Sequence, residues 1–298
     1  MVSNNYLFDN YINIARNCRA ENNQLKALKF YKKAYNLSIG KKDIDLLLDM
    51  ALLYDEIGLK DFAKEKYNEV IEIDPMESSA YYGLAVIYDE SEQYEKAMVL
   101  YRKAIEINPN YDKAYFFLAN IEDELGDKKE AIANYKKVIE INPKDLWAYA
   151  NIGCIYEEED NDEKALEYLM KALEINEKQF RVLFNIGVVL NKIGKVKEAR
   201  EYYFNSIKCN PFYPYSYLNL AVSHKEEGNF KKAINILDRG IENNNDQGFL
   251  YYNRACIYAN IGELDKALED VKKSIELNEF FMDYSKKDIE LKELWNRI

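Results

Sequence analysis

Residues 78–111 read SSAYYGLAVIYDESEQYEKAMVLYRKAIEINPNY. Two apolar stripes run through this stretch: Tyr81, Leu84, Ala85 and Tyr88 lie at i, i+3, i+4 and i+7, and Ala97, Leu100, Tyr101 and Ala104 repeat the spacing. That spacing marks one face of an α-helix, so the stretch predicts two helices. Asn108-Pro109 closes the second, because the residue before a proline is pushed sterically out of the helical region. At the turn between the two, other parts of the chain carry Gly58, Gly126, Gly194, Gly228 and Gly262. Glycine reaches positive φ at little cost, so a tight reversal and two antiparallel helices follow.

Outward from this stretch the pattern recurs with a fixed period. Pro75, Pro109 and Pro143 are spaced by 34 residues and Pro211 by twice that. Ala63, Ala97, Ala131, Ala165, Ala199, Ala233 and Ala267 keep the same interval without a slip. The repeats are 44–77, 78–111, 112–145, 146–179, 180–213, 214–247 and 248–281. An atypical first one spans 8–41, aligned by Ala15, Ala27, Tyr31 and Ala34, with Lys42 and Asp43 as an insertion. Small residues at the eighth place (Ala51, Ala85, Ala119, Gly153, Gly187, Ala221, Ala255) let neighbouring helices approach at the short end of their usual separation. Each repeat touches only its neighbours in such an array, and the ends need a polar covering. Residues 1–7 are expected as an N-terminal extension. Residues 282–298 are expected as a capping helix, with Leu291, Leu294, Trp295 and Ile298 inward and Lys286, Lys287, Glu290, Lys292, Glu293 and Arg297 outward. A detachable partner-binding helix is the alternative for that segment.

The repeat resembles the tetratricopeptide repeat family, whose 34-residue pattern places an aromatic, Leu-Gly, Tyr, Ala, an aromatic, Ala and Pro in order. The resemblance covers Phe8 to Phe281 and is dense: Tyr149, Ile152, Gly153, Tyr156, Ala165 and Ala172 fill one repeat, and Leu183, Ile186, Gly187, Gly194, Ala199, Tyr203 and Pro211 the next. Glu177, Asn245 and Glu279 stand in for proline, Arg254 for a core leucine, His224 for tyrosine and Gly240 for alanine. The resemblance implies an all-α, right-handed superhelical solenoid of antiparallel helix pairs. It also implies that the first helices line a concave side, where extended peptides or partner helices bind.

Composition restricts the function. The chain has 298 residues, 48% of them hydrophobic, and 52 Asp+Glu against 41 Lys+Arg give a net charge of −11. That charge repels phosphate backbones and anionic membranes, so neither nucleic acid nor membrane is expected as a partner. One histidine, His224, leaves little room for metal clusters or imidazole acid–base chemistry, and it sits in a packing stripe. Cys18, Cys154, Cys209 and Cys256 lie far apart and read as reduced thiols. No leader-like start and no apolar run of membrane-spanning length are present, and a cytoplasmic protein is expected. Phosphate-binding and nucleophile motifs are missing, so neither enzymatic activity nor a cofactor or metal is expected.

On each first helix the second, sixth, ninth and thirteenth places share a face, flanked by the fifth and twelfth. The sixth place carries Asn151, Asn185, Asn219 and Asn253 in succession. An amide both donates and accepts, so such a row can pair with the backbone of a bound strand whatever its sequence. The twelfth and thirteenth places read Asp55-Glu56, Asp89-Glu90, Asp123-Glu124 and Glu157-Glu158, then lose their acidity at Asn191-Lys192. Carboxylates in the last turn of a helix oppose its dipole and repel one another when stacked, which points to a basic ligand rather than to stability. Tyr82, Phe116, Trp147, Phe184, Tyr215, Phe249 and Tyr252 at the second or fifth place are candidate anchors, since aromatic side chains dominate interface energetics. The chaperone-type carboxylate clamp of some related families is not expected, because no fifth place is lysine. The expected function is therefore a non-catalytic interaction scaffold that holds an extended segment containing basic and aromatic residues. A peptide-sensing regulator and an obligate adaptor subunit of an enzyme or secretion assembly are the alternatives. Partner identity and oligomeric state are not encoded legibly.

Overall fold

A computed structural model describes residues 4–296, and within them every regular element is a helix. The chain divides into two compact units, Met1–Pro143 and Lys144–Ile298. The first holds α1 (Asn4–Ala20), α2 (Gln24–Tyr35), the 3₁₀ turn η1 (Gly40–Lys42), α3 (Ile44–Glu56), α4 (Lys60–Ile73), α5 (Ser78–Asp89), α6 (Tyr94–Ile107), α7 (Asp112–Glu124) and α8 (Lys128–Ile141). The second holds α9 (Leu146–Glu158), α10 (Asp162–Ile175), α11 (Phe180–Lys192), α12 (Val196–Cys209), α13 (Pro214–Glu226), α14 (Phe230–Asn243), α15 (Gly248–Asn260), α16 (Leu264–Leu277), α17 (Phe280–Ser285) and η2 (Ile289–Leu294). Both units are α-solenoids of helix pairs stacked in tandem, two helices to each 34-residue repeat.

Two local devices set the rhythm. At the fifteenth place of every repeat the backbone has positive φ: Gly58, Gly126, Gly194, Gly228 and Gly262 lie between 76° and 88°, and Asn22, Glu92 and Asp160 at 57°. No atom lies within 4 Å of where a Cβ would stand at those five glycines, so the backbone angle, not space, selects them. At the ends of α4, α6, α10, α12 and α16 an Asp or Asn adopts an extended conformation and turns the chain with its own side chain. The Oδ1 atoms of Asp74, Asn108, Asn176, Asn210 and Asn278 each accept a hydrogen bond from the amide two residues on. This explains why Glu177 and Glu279 can replace proline: the asparagine before each still makes the turn. At the third such site Asn244 is buried and donates to the Pro211 and Gly240 carbonyls instead.

Tyrosines at the twenty-fourth place are buried in each unit, Tyr31, Tyr67, Tyr101 and Tyr135 in the first and Tyr203 in the second. A Cβ on Gly187 would stand 2.6 Å from Tyr203 Cε1, and one on Gly83 2.2 Å from Tyr67 Cζ. Arg254, in place of a core leucine, is neutralised by acids on both sides. Its Nε and Nη2 donate to Asp270 at 2.7 Å each and its Nη1 to Asp238 at 2.6 Å.

The ends depart from expectation. Helix α1 already includes residues 4–7, which were expected to precede the repeats, and Asp43 of the insertion caps α3 by accepting from the Leu46 amide at 2.8 Å. The segment expected as one capping helix over 282–298 is broken. Helix α17 ends at Ser285, and after an extended Asp288 the chain resumes as 3₁₀ turns. With three residues per turn, Leu291 and Leu294 fall on one edge, and both are buried against Tyr252, Cys256 and Val271. Trp295 stays partly exposed, its Nε1 donating to the Asp288 carbonyl at 3.0 Å; Arg297 and Ile298 lie outside the described residues.

Candidate functional site

In the first unit, α3, α5 and α7 present the face formed by the first helices. A cavity of about 410 Å³ opens there, lined by Leu48, Leu52 and Asp55 of α3, Ser79, Tyr82, Gly83 and Val86 of α5, Lys113 of α7, and the rings of Tyr67 and Tyr111. Tyr82 is half-buried and packs 4.9 Å from Tyr111 between ring centroids. Asp55 Oδ1 is buried and has no hydrogen-bond partner. Burial, together with the Glu90 carboxylate, pushes the Asp55 carboxyl above its usual range, with Lys60 opposing. Asp89 is raised as well, by burial first and then by Glu124 and Glu90, so carboxylates of adjacent repeats do face one another.

Most of the expected acidic stack nevertheless has partners within the chain. Asp89 accepts from the Tyr101 hydroxyl at 3.1 Å, Glu90 from Lys60 at 2.6 Å, Asp123 from Lys128 at 2.6 Å and Glu124 from the Tyr94 hydroxyl at 2.9 Å. Glu56 is held by Arg19, and in the second unit Glu157 accepts from Lys192 at 3.1 Å; Glu158, on the surface, interacts within the chain as well. Phe116 packs edge-on against Tyr135.

In the second unit the four asparagines sit half-buried on α9, α11, α13 and α15. They are not an idle ladder. Asn185 Nδ2 lies 3.1 Å from Cys154 Sγ, Asn253 Nδ2 donates to the Phe249 carbonyl at 2.8 Å, and Asn219 meets the hydroxyl of Tyr203. Beside them Phe184, Tyr213, Tyr215 and Phe249 form a continuous run of rings, ending in a stack of 5.3 Å between Tyr215 and Phe249. Trp147 is exposed. Tyr252 is the exception among the expected anchors: it is buried by the C-terminal segment, stacked on Phe281, with its hydroxyl donating to Asp288. Sequence reasoning missed Tyr111 and Tyr213. Both occupy the last place of a repeat, next to the following first helix, and that shared register was the available signal.

One group of metal-ligand type occurs among the described residues, Cys256 with Asp288 and Glu290. Its groups are engaged within the chain: the Tyr252 hydroxyl donates to Asp288 and Lys225 Nζ to Glu290 at 2.6 Å, and burial with the two carboxylates pushes the Cys256 thiol up. No described helix is long and apolar enough to cross a membrane.

Comparison with known proteins agrees with this architecture. Models of the tetratricopeptide repeat match residues 78–111, 112–145, 148–179, 214–247 and 250–281. The chain belongs to the tetratricopeptide repeat family. Among solved structures, MamA is 30% identical, with a TM-score of 0.51, covering 56% of this chain and 97% of its own. A tetratricopeptide repeat protein from Parabacteroides merdae ATCC 43184 is 20% identical, with a TM-score of 0.63 over 84% of this chain and 97% of its own. YrrB, described as a TPR protein with an unusual peptide-binding site, is 23% identical, with a TM-score of 0.51 over 60% of this chain and 92% of its own. No curated protein matches. Repeats of this family mediate protein–protein contact, and the chain is a protein-interaction scaffold.

Proposed function

We propose that the first-helix face of residues 44–124 binds an extended segment of a partner protein and takes one of its Lys or Arg side chains into the cavity beside Asp55. The observation that carries this is the buried, unpartnered Oδ1 of Asp55 in a pocket walled by tyrosine rings. A buried carboxylate oxygen without a donor is costly, and an entering cation would supply the missing hydrogen bond while its stem packs on the rings. The second unit, taken by itself, offers the exposed Trp147 and Tyr215 with the Phe184–Phe249 run, a surface suited to aromatic residues of a bound segment. An amide side chain both donates and accepts, so the asparagines of that face suit the backbone of such a segment. Each neutral hydrogen bond of that kind nets only ~0.5–1.5 kcal/mol, so the charge and the rings set the affinity.

The experiment is selection from a displayed library of random peptides, followed by fluorescence anisotropy of the winners. Enriched Lys or Arg is expected, and Asp55→Asn should weaken binding at least tenfold and flatten its salt dependence. Winners without basic residues, or an unchanged affinity in Asp55→Asn, would remove the charge assignment.

A further inference from the structure

The opposite side of the second unit carries a site that this reading does not use. Between second helices α12 and α14, with α13 as the floor, lies a cavity of about 550 Å³. Its apolar lining is Phe204, Ile207, Tyr217, Leu220 and Ile236; its polar lining is Lys197, Arg200, His224, Lys232, Arg239 and one acid, Glu201.

Two other seams carry paired charges at the places that are apolar here. Where α6, α7 and α8 meet, the same repeat positions hold Arg102, Leu118, Glu122 and Asn134. Arg102 Nη2 donates to Glu122 at 3.1 Å and Asn134 Nδ2 to Glu122 at 2.6 Å. Where α14, α15 and α16 meet they hold Asp238, Arg254, Tyr258 and Asp270, closed by the Arg254 pairs. Between α12, α13 and α14 the corresponding residues are Phe204, Leu220, His224 and Ile236. The internal acid is gone, apolar side chains replace the paired charges, and the seam is open. Arg200 is committed to Ser223 and to Glu227 at 2.8 Å. Lys197, Lys232 and Arg239 stand exposed, with no side-chain hydrogen bond or ion pair. His224 is 95% buried on its residue surface (5% exposed), and its Nδ1 has no partner.

We propose that this seam is a binding site for a small amphipathic carboxylate, an aliphatic or aromatic acid whose apolar body fills the space between α12 and α14. Its anionic head takes the place of the internal carboxylate that two of the other seams, at α6–α8 and α14–α16, carry in their own sequence. The volume lies within the range of ligand pockets, and the composition is theirs, an apolar wall with a few convergent polar groups. The head group meets Lys232 and Arg239 at the mouth and accepts a hydrogen bond from His224. A macromolecular partner is disfavoured because the apolar surface is confined to one seam and edged by charge.

His224 is the chain's only histidine, so its imidazole resonances report on this cavity alone. The test follows them by NMR in the full chain during titration with decanoate, decanol, inorganic phosphate and an N-acetylated peptide ending in Asp-Phe. Expected are a saturable shift with decanoate, at least tenfold weaker binding of decanol, and no saturable shift with phosphate. Charge reversal at the two exposed positions, Lys232→Glu with Arg239→Glu, should weaken decanoate at least tenfold without loss of helicity. Ile236→Trp, which fills the space, should abolish it. Equal affinities for decanoate and decanol, decanoate binding that ignores the charge reversal, or no decanoate shift would each overturn the proposal. Binding of the peptide in place of decanoate would overturn it in favour of a protein partner. Peptide binding at the first-helix face should be unaffected by these variants, so the two assignments fail separately.

Discussion

Replacing Arg254 with leucine restores an apolar residue of the kind every other repeat carries at that place, yet it should destabilise the C-terminal repeats. Asp270 is 5% exposed, and Arg254 provides the two 2.7 Å hydrogen bonds that hold its charge. Removing one partner of a buried pair leaves an uncompensated charge, at a cost of ~3–5 kcal/mol. Asp238 is 40% exposed and returns to water at little cost. The double variant Arg254→Leu with Asp270→Leu should therefore recover most of the loss, since an apolar replacement of a buried pair is often neutral or better. Because repeat arrays open locally, the readout is hydrogen exchange of α15 and α16 amides rather than one global transition. The pH dependence has a fixed sign. Burial raises the Asp270 carboxyl even with Arg254 present, and without it the folded-state pKa rises further above the unfolded value. The penalty is then fully present above the folded pKa and shrinks as pH falls through it, because a protonated carboxyl carries no charge. A single variant that loses less than ~1 kcal/mol, or a double variant no more protected than the single, would refute the buried-charge argument.

Gly83→Ala forces a methyl to within 2.2 Å of the Tyr67 ring, which is 2% exposed. Overpacking of this kind costs ~1–3 kcal/mol, against a gain in helix propensity of at most ~1 kcal/mol, so net faster exchange in α4 and α5 is expected. Alkylation followed by mass spectrometry at mildly alkaline pH should label exposed Cys209 first and Cys256 last. Cys256 is buried, and nearby Asp288 and Glu290 keep its thiol protonated.

The array was legible because a 34-residue interval is a property of the chain itself. Positive φ falls on the fifteenth place even where Asn22, Glu92 and Asp160 replace glycine, so the register outweighs the residue type. The candidate faces were legible as places on helices, but not as chemistry. Whether a carboxylate is available depends on which long side chain reaches it, and Arg19 reaches Glu56 across 37 positions while Lys60 reaches Glu90 across 30. Asp55 and Asp89 occupy the same place in consecutive repeats. A tyrosine hydroxyl satisfies Asp89 but not Asp55, and no periodicity distinguishes them. Arg254 was more readable than it looked, since Asp238 and Asp270 lie 16 residues to either side. The break at Asp288 has no signature in an apolar stripe, because i, i+3 spacing suits a 3₁₀ turn as well as an α-helix.

Those closing turns determine how the array can be extended. The outer side of the last helix pair, where a further repeat would dock, is occupied by Leu291 and Leu294 and latched by Asp288 and Glu290 to Tyr252 and Lys225. Grafting additional repeats after residue 281, or stacking molecules end to end at that side, requires this latch to be cut away first. A fusion that keeps it would tether two separate repeat arrays rather than lengthen one.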